Sequence, residues 1–274
     1  MKNTKKTIIF SLVTLMMIFS AACSKSGPEP STDKTQEPSK EVKTVTLTIA
    51  AAASLKDSME EIKTAYVKEK PDVTITYNFG ASGTLQQQVE QGADTDIFIS
   101  AAAKQMDALK DKKLIIDDTR KNLVGNRLVL VVPKDFPGVS DFKDLAGDKV
   151  KKVALGEPKS VPAGQYAEEV LKKLNILDAV KPKVVYAKDV KEVLAWAETG
   201  NIDAGVAYET DAKASGKVKV VAVASEDSHK PILYPAAVIS GSKNQNAAKD
   251  FLNYLYSEKA KPVFEKYGYT FVAK

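Results

Sequence analysis

From residue 45 onward, short β-rich runs alternate with stretches whose apolar residues recur at helical spacing, and this alternation decides the fold class. Val45–Ala50 (VTLTIA) and Val73–Asn78 (VTITYN) read as strands, and between them Leu55, Met59, Ile62 and Tyr66 mark one face of a helix. Thr84–Glu90 reads as a short helix, Asp96–Ser100 (DIFIS) as a strand and Lys104–Asp111 as another helix. A β-α-β-α-β order predicts a mostly parallel sheet covered by helices on both faces. A longer strand, Arg127–Pro133 (RLVLVVP), is closed by a proline, and a second α/β series follows. Its strands are Lys151–Leu155, Lys183–Ala187, Ile202–Tyr208, Val218–Ala224 and Ile232–Ile239, and its helices are Ala163–Leu174 and Asp189–Thr199. Ala247–Tyr267 reads as two terminal helices.

No low-complexity spacer separates the two series. The expectation is therefore two α/β lobes with mostly parallel sheets, residues 44–126 together with 235–274 forming one and residues 127–234 the other. The chain would cross between them twice, with Arg127–Pro133 as one crossing. A length of 274 residues suits one large domain or two small ones at about 150 residues each. The carboxyl ends of parallel strands form a cleft suited to ligands, which here would lie between the lobes.

The first 43 residues are different. Lys2, Lys5 and Lys6 precede Ile8–Phe19, a stretch of apolar, Ser and Thr residues only, too short to span a hydrocarbon core of about 30 Å. Ser20, Ala21 and Ala22 follow, and then Cys23, the only cysteine. A basic start, an apolar stretch and a small-residue cleavage site make residues 1–22 a secretory signal. With Cys directly behind, the stretch resembles the lipobox of bacterial lipoproteins, where the Cys is acylated and becomes the mature N-terminus. It departs from that pattern in Ser20, where Leu is usual. Residues 24–43 carry Val42 as their sole aliphatic side chain and are expected to be a disordered tether. The expected location is the outer face of the cell membrane.

Composition excludes several classes. One Cys and one His exclude a disulfide framework, a Cys-rich zinc site and a multi-His metal cage. The net charge of +5 falls to +2 once residues 1–22 with their three lysines are removed, so no nucleic-acid partner is indicated. Enzyme templates also fail. Gly80–Thr84 (GASGT) is not G-x-S-x-G, Ser140–Lys143 (SDFK) matches S-x-x-K without its companion motifs, and no phosphate-binding glycine loop is present. His229 lies in the polar stretch SEDSHK and is expected to be exposed, and Trp196 is expected to pack within its helix.

The informative positions lie at the strand-to-helix joins. Ser54 follows a strand in AAASL, and Ser82 follows another in NFGASGT, each directly before a helix. A helix N-terminus presents free N–H groups and a partial positive charge of about +0.5. A serine hydroxyl added there makes a small neutral anion pocket, although a plain helix cap would use the same residue. In the second series, Pro162 suits a first helical turn and leaves the N–H of Ala163 outward. Val190 opens the next helix behind Asp189, and Tyr208 ends the strand GVAY, where its hydroxyl would reach the same opening.

Taken together, AAASL, GASGTL, GADTDIFISAA, EPKSVPAGQYA, AKDVKEVLAWAETGNIDAGVAYETDA and FEKYGYTF resemble, in family order from about Thr44 to the C-terminus, the molybdate-binding protein of the bacterial molybdate ABC transporter. The resemblance implies a type II periplasmic-binding-protein fold. It implies a tetrahedral oxyanion held by the hydroxyls and backbone N–H groups of Ser54 and Ser82, the backbone N–H groups of Ala163 and Val190, and the hydroxyl of Tyr208. The ligand would be molybdate, and tungstate by the same token, with no cofactor and no directly coordinated metal. The partners would be an ABC permease and, through Cys23, a membrane, with the protein itself a monomer. The chemistry is consistent, because molybdate near neutral pH is a dianion whose oxygens only accept. A protonated phosphate would leave its own donor unsatisfied in such a pocket, at about 1–3 kcal/mol. Sulfate is a pure acceptor too, so only cavity size would exclude it. A binder of sulfate or phosphate is the nearest alternative. A serine hydrolase built on Ser54 or Ser82 is a distant one, since no His or Lys stands in a partner position.

If Cys23 is the anchor, Cys23→Ala will leave folding and anion binding intact and release the protein from membranes. Fractionation followed by blotting checks this, and a variant as membrane-bound as the wild type rejects the assignment.

Overall fold

The run VTLTIAAA forms β1 (Val45–Ala52), buried along its second half. It leads through a single tight turn, Ala53–Leu55, into α1 (Lys56–Glu69), where Met59, Ile62 and Tyr66 face inward at the expected spacing. The structure is a computed structural model that describes residues 44–273. The expected signal, Cys23 and the tether lie outside the described residues.

The first series continues with β2 (Val73–Gly80), α2 (Ser82–Glu90), β3 (Ile97–Ile99), α3 (Ala103–Asp111) and β4 (Lys121–Gly125). The second comprises β5 (Leu128–Pro133), β6 (Val153–Gly156), α4 (Pro162–Lys173), α5 (Leu177–Val180), β7 (Val184–Ala187), α6 (Val190–Glu198), β8 (Ala204–Tyr208), α7 (Glu209–Lys213) and β9 (Val218–Val223). The chain then returns through β10 (Leu233–Val238), α8 (Gln245–Leu255), α9 (Lys261–Lys266) and β11 (Thr270–Phe271). These strands make two sheets, one of six in the order β11-β4-β10-β3-β1-β2 and one of five in the order β7-β6-β8-β5-β9.

Each sheet has a parallel half and an antiparallel half. β1 pairs in parallel with β2 and β3, and β6 with β7 and β8, because a helix between successive strands returns the chain to the same end. β5, β10 and β11 run antiparallel to their neighbours, so the sheets are mixed. The first crossing is not the strand Arg127–Pro133. It is the short link Asn126–Arg127 that joins β4 of the larger sheet to β5 of the smaller. The second is the segment after β9, and Leu233 and Tyr234 already belong to β10 in the larger sheet. Pro235 sits inside β10 at a shift in its register with β4, an interruption of the ladder that a proline tolerates.

The carboxyl ends of β1, β2 and β3 in one sheet face those of β6, β7 and β8 in the other. The helices that follow these strands begin there. α4 begins at Pro162, whose missing N–H costs nothing at the first helical position. Tyr166, Ala167, Val170 and Leu171 then line its buried face. The N-terminus of this helix is pressed against β6. A Cβ on Gly164 would overlap the carbonyl oxygen of Gly156, which is backbone and cannot swing away. Gly164→Ala is therefore expected to destabilise the protein by about 1–3 kcal/mol as overpacking that no side chain can relieve. Urea unfolding checks this through a lowered midpoint at unchanged slope.

Candidate functional site

Ser54, Ser82, Ala163, Val190 and Tyr208 all line one small chamber between the two sheets, of about 10 Å³. All five are buried. That volume is room for about one water molecule, far below the roughly 300–1,000 Å³ of pockets for organic ligands, so the walls must part to admit even a compact anion.

Neither serine is a helix cap. Ser54 lies inside the turn that precedes α1, and Ser82 is the first residue of α2 behind Ala81, and neither makes a capping hydrogen bond. Their hydroxyls do other things. The N–H of Ala101, just past β3, donates to Ser82 Oγ at 2.9 Å. Ser54 Oγ lies 2.9 Å from the hydroxyl of Tyr234 on β10. The Ser54 carbonyl accepts from the Tyr269 hydroxyl at 2.7 Å, which ties the turn to the C-terminal segment. Tyr208 ends β8, and its hydroxyl is buried with no hydrogen-bond partner. Burial holds this phenol well above its ordinary pKa, so it stays protonated and offers a donor. The neighbouring Tyr234 hydroxyl pulls slightly on it without meeting hydrogen-bond geometry.

Three helices begin at the chamber wall, with Ser82 at the start of α2, Ala163 second in α4 and Val190 first in α6. The first N–H groups of a helix have no partner within it, and the positive ends of three macrodipoles meet here. One carboxylate also lines the chamber, which the sequence reading did not foresee. Asp189 caps α6, and its Oδ1 accepts from the Glu192 N–H at 2.9 Å, so it is engaged by its own helix. The chamber therefore offers hydroxyl and N–H donors with fixed dipoles, chemistry that holds an anion whose atoms only accept.

Two contacts join the sheets beside this chamber. The N–H of Gly83 donates to the Ser160 carbonyl at 2.8 Å. Lys191 of α6 reaches Asp57 of α1 at 2.9 Å and the buried Asp211 of α7 at 3.0 Å. Burial opposes the charge on Lys191, but the two carboxylates outweigh it and raise its pKa. Sequence reasoning missed these contacts, and Tyr234 and Tyr269 with them; Tyr269 lies in the quoted FEKYGYTF segment but carries no signal of its own. His229 is half-buried rather than exposed, its ring 5.8 Å from that of Tyr166 and away from the chamber, while Trp196 packs against the core as expected.

The fold and the chamber define a two-sheet binding protein for a small anion. The chain belongs to the family described as bacterial extracellular solute-binding protein, whose model matches residues 47–270. It is 47% identical over 268 residues, 97% of this chain and 98% of the relative, to YvgL of Bacillus subtilis, which carries the provisional name of an ABC transporter substrate-binding lipoprotein. It is 43% identical over 233 residues to the molybdate-binding protein ModA of Escherichia coli, covering 82% of this chain and 88% of that one. Among solved structures, a substrate-binding domain from Clostridium difficile, provisionally assigned to a molybdenum ABC transporter, superposes with a TM-score of 0.66 at 53% identity, covering 84% of this chain and all of that one.

A Cβ on Gly83 would lie 2.7 Å from both the Cα and the carbonyl oxygen of Ser160. Both neighbours are backbone, so an added methyl must push the sheets apart across the chamber. Gly83→Ala is expected to weaken anion binding about 5- to 150-fold, the equivalent of about 1–3 kcal/mol of overpacking. Small-angle scattering with saturating anion should show it less compact than the wild type.

Proposed function

We propose that this chain captures molybdate, and tungstate by the same geometry, outside the cell membrane and delivers it to an ABC permease. The observation that carries the reading is the Tyr208 hydroxyl, a protonated donor buried without a partner in the wall of a 10 Å³ chamber. A guest with an acceptor atom at that place would satisfy it. The names of the relatives point to the same class of guest.

In this reading Ser54 and Ser82 contribute hydroxyl and backbone donors from one side, and Ala163, Val190 and Tyr208 contribute donors from the other. Residues 44–126 with 233–273 move as one lobe and residues 127–232 as the other, hinged at the two crossings. The protein acts as a monomeric carrier. The Ser54 and Ser82 hydroxyls contact a phenol and a main-chain N–H. Neither is a general base, so the site lacks the activation a serine nucleophile needs. Cys23 carries the lipid that holds the carrier at the membrane, a reading supported by the residues around it and by the lipoprotein name of the Bacillus relative.

Molybdate and tungstate are expected to raise the melting temperature of residues 24–274, by the equivalent of about 2.7 kcal/mol at 100 times the dissociation constant. Sulfate and phosphate at equal concentration should do little, and equal stabilisation by sulfate would favour a sulfate carrier. By calorimetry, Ser54→Ala and Tyr208→Phe should each lose a hydrogen bond to a charged group and weaken molybdate about 10- to 150-fold. Wild-type affinity in both variants sinks the reading.

A further inference from the structure

The direction of the hydrogen bonds behind Ser54 can be worked out from groups that have no choice. The main-chain N–H of Arg127 can only donate, and it donates to Asn126 Oδ1 at 2.8 Å. That fixes the amide, so Asn126 Nδ2 is the atom that faces Thr210 Oγ1 at 2.9 Å and Tyr234 Oη at 3.2 Å. An amide nitrogen only donates. The Tyr234 oxygen is thus an acceptor toward Asn126, and its own proton is left for Ser54 Oγ, 2.9 Å away. Tyr234 is fully buried, and burial keeps its phenol protonated far above neutral pH. Once Ser54 Oγ accepts from Tyr234, the serine proton must turn elsewhere, and Ser54 lines the chamber while Tyr234 does not.

Ser82 stands in the same situation by other means. Its oxygen accepts from the Ala101 N–H, so its proton is also left for the chamber. The two serines are therefore oriented alike, one by main chain and one by a side chain that begins at the hinge.

We propose that Tyr234 is a positioning residue that turns the Ser54 hydroxyl into a donor toward the chamber, so that affinity for an acceptor-only anion depends on a side chain outside the chamber wall. The proposal rests on the reading of Ser54 as a ligand contact. Asn126, at the first crossing, sets the polarity of the relay, and Tyr234, just past the second, passes it on.

A double-mutant cycle in the full chain tests this, with molybdate titrated by calorimetry into wild type, Tyr234→Phe, Ser54→Ala and the double variant. Tyr234→Phe is expected to weaken molybdate about tenfold, and the double variant to bind within about twofold of Ser54→Ala alone, because Tyr234 has nothing left to orient. A core residue that merely supports the fold would weaken both backgrounds by the same factor. Equal factors, or wild-type affinity in Tyr234→Phe, overturn the relay while leaving the anion site standing. Wild-type affinity in Ser54→Ala overturns the contact itself and the relay with it. If Tyr234→Phe does not fold, Asn126→Ala takes its place, with an expected weakening of about threefold that vanishes in the Ser54→Ala background. The same weakening in both backgrounds overturns the proposal.

Discussion

A hydroxyl buried without an acceptor costs about 1–3 kcal/mol, and the Tyr208 hydroxyl is such a group. Much of the surrounding architecture follows from surrounding a small space with donors and keeping acceptors out of it. Three helices start at its wall, where the first N–H groups of a helix have no partner within it. The one carboxylate in the wall, Asp189, is engaged by the cap of α6. The oxygen atoms of the two serines are engaged by groups behind them. A charged side chain in the wall would neutralise an anion more strongly, but it would also demand a counter-charge whenever the space was empty. Dipoles fixed in helices need no such partner.

This arrangement requires that elements far apart in the chain meet at one place. The two crossings provide that. They hold the parallel halves of both sheets face to face while the antiparallel strands β5 and β10 run alongside the hinge. The returning segment also stiffens the site from behind. Tyr269, close to the C-terminus, bonds the Ser54 carbonyl, and its ring meets those of Tyr234 and Phe264 edge-on. The turn before α1 thus takes its shape from residues more than 200 positions away.

The period of two in strands and the near-period of four in helices made most elements legible, because Met59, Ile62, Tyr66, Val170 and Leu171 are buried for the reason their spacing suggests. The joins Ser54, Ser82, Ala163, Val190 and Tyr208 could be picked out from their places after strands, and the family motifs gave them one purpose. What stayed hidden had no local signature. β4 opens with the exposed Lys121 and Asn122 and reads as a loop, and β11 has only two residues. The bond between Ser54 and Tyr234 spans 180 positions and that between Asn126 and Tyr234 spans 108, separations at which a single sequence carries no trace of contact. The serines looked like helix caps because a cap and a donor to an anion use the same residue at nearly the same position.

The contacts that join the sheets beside the chamber have a consequence for time as well as affinity. A guest between sheets that are also joined by the Gly83–Ser160 bond and the Lys191–Asp57 pair leaves only when those contacts open as well as its own hydrogen bonds. Its residence is governed by how often the whole molecule opens, a collective motion on the microsecond-to-millisecond scale or slower. Holding and letting go thereby share the contacts at the rim. A change at the rim alters the clock as well as the grip, and any membrane partner able to draw the halves apart decides when the cargo is surrendered.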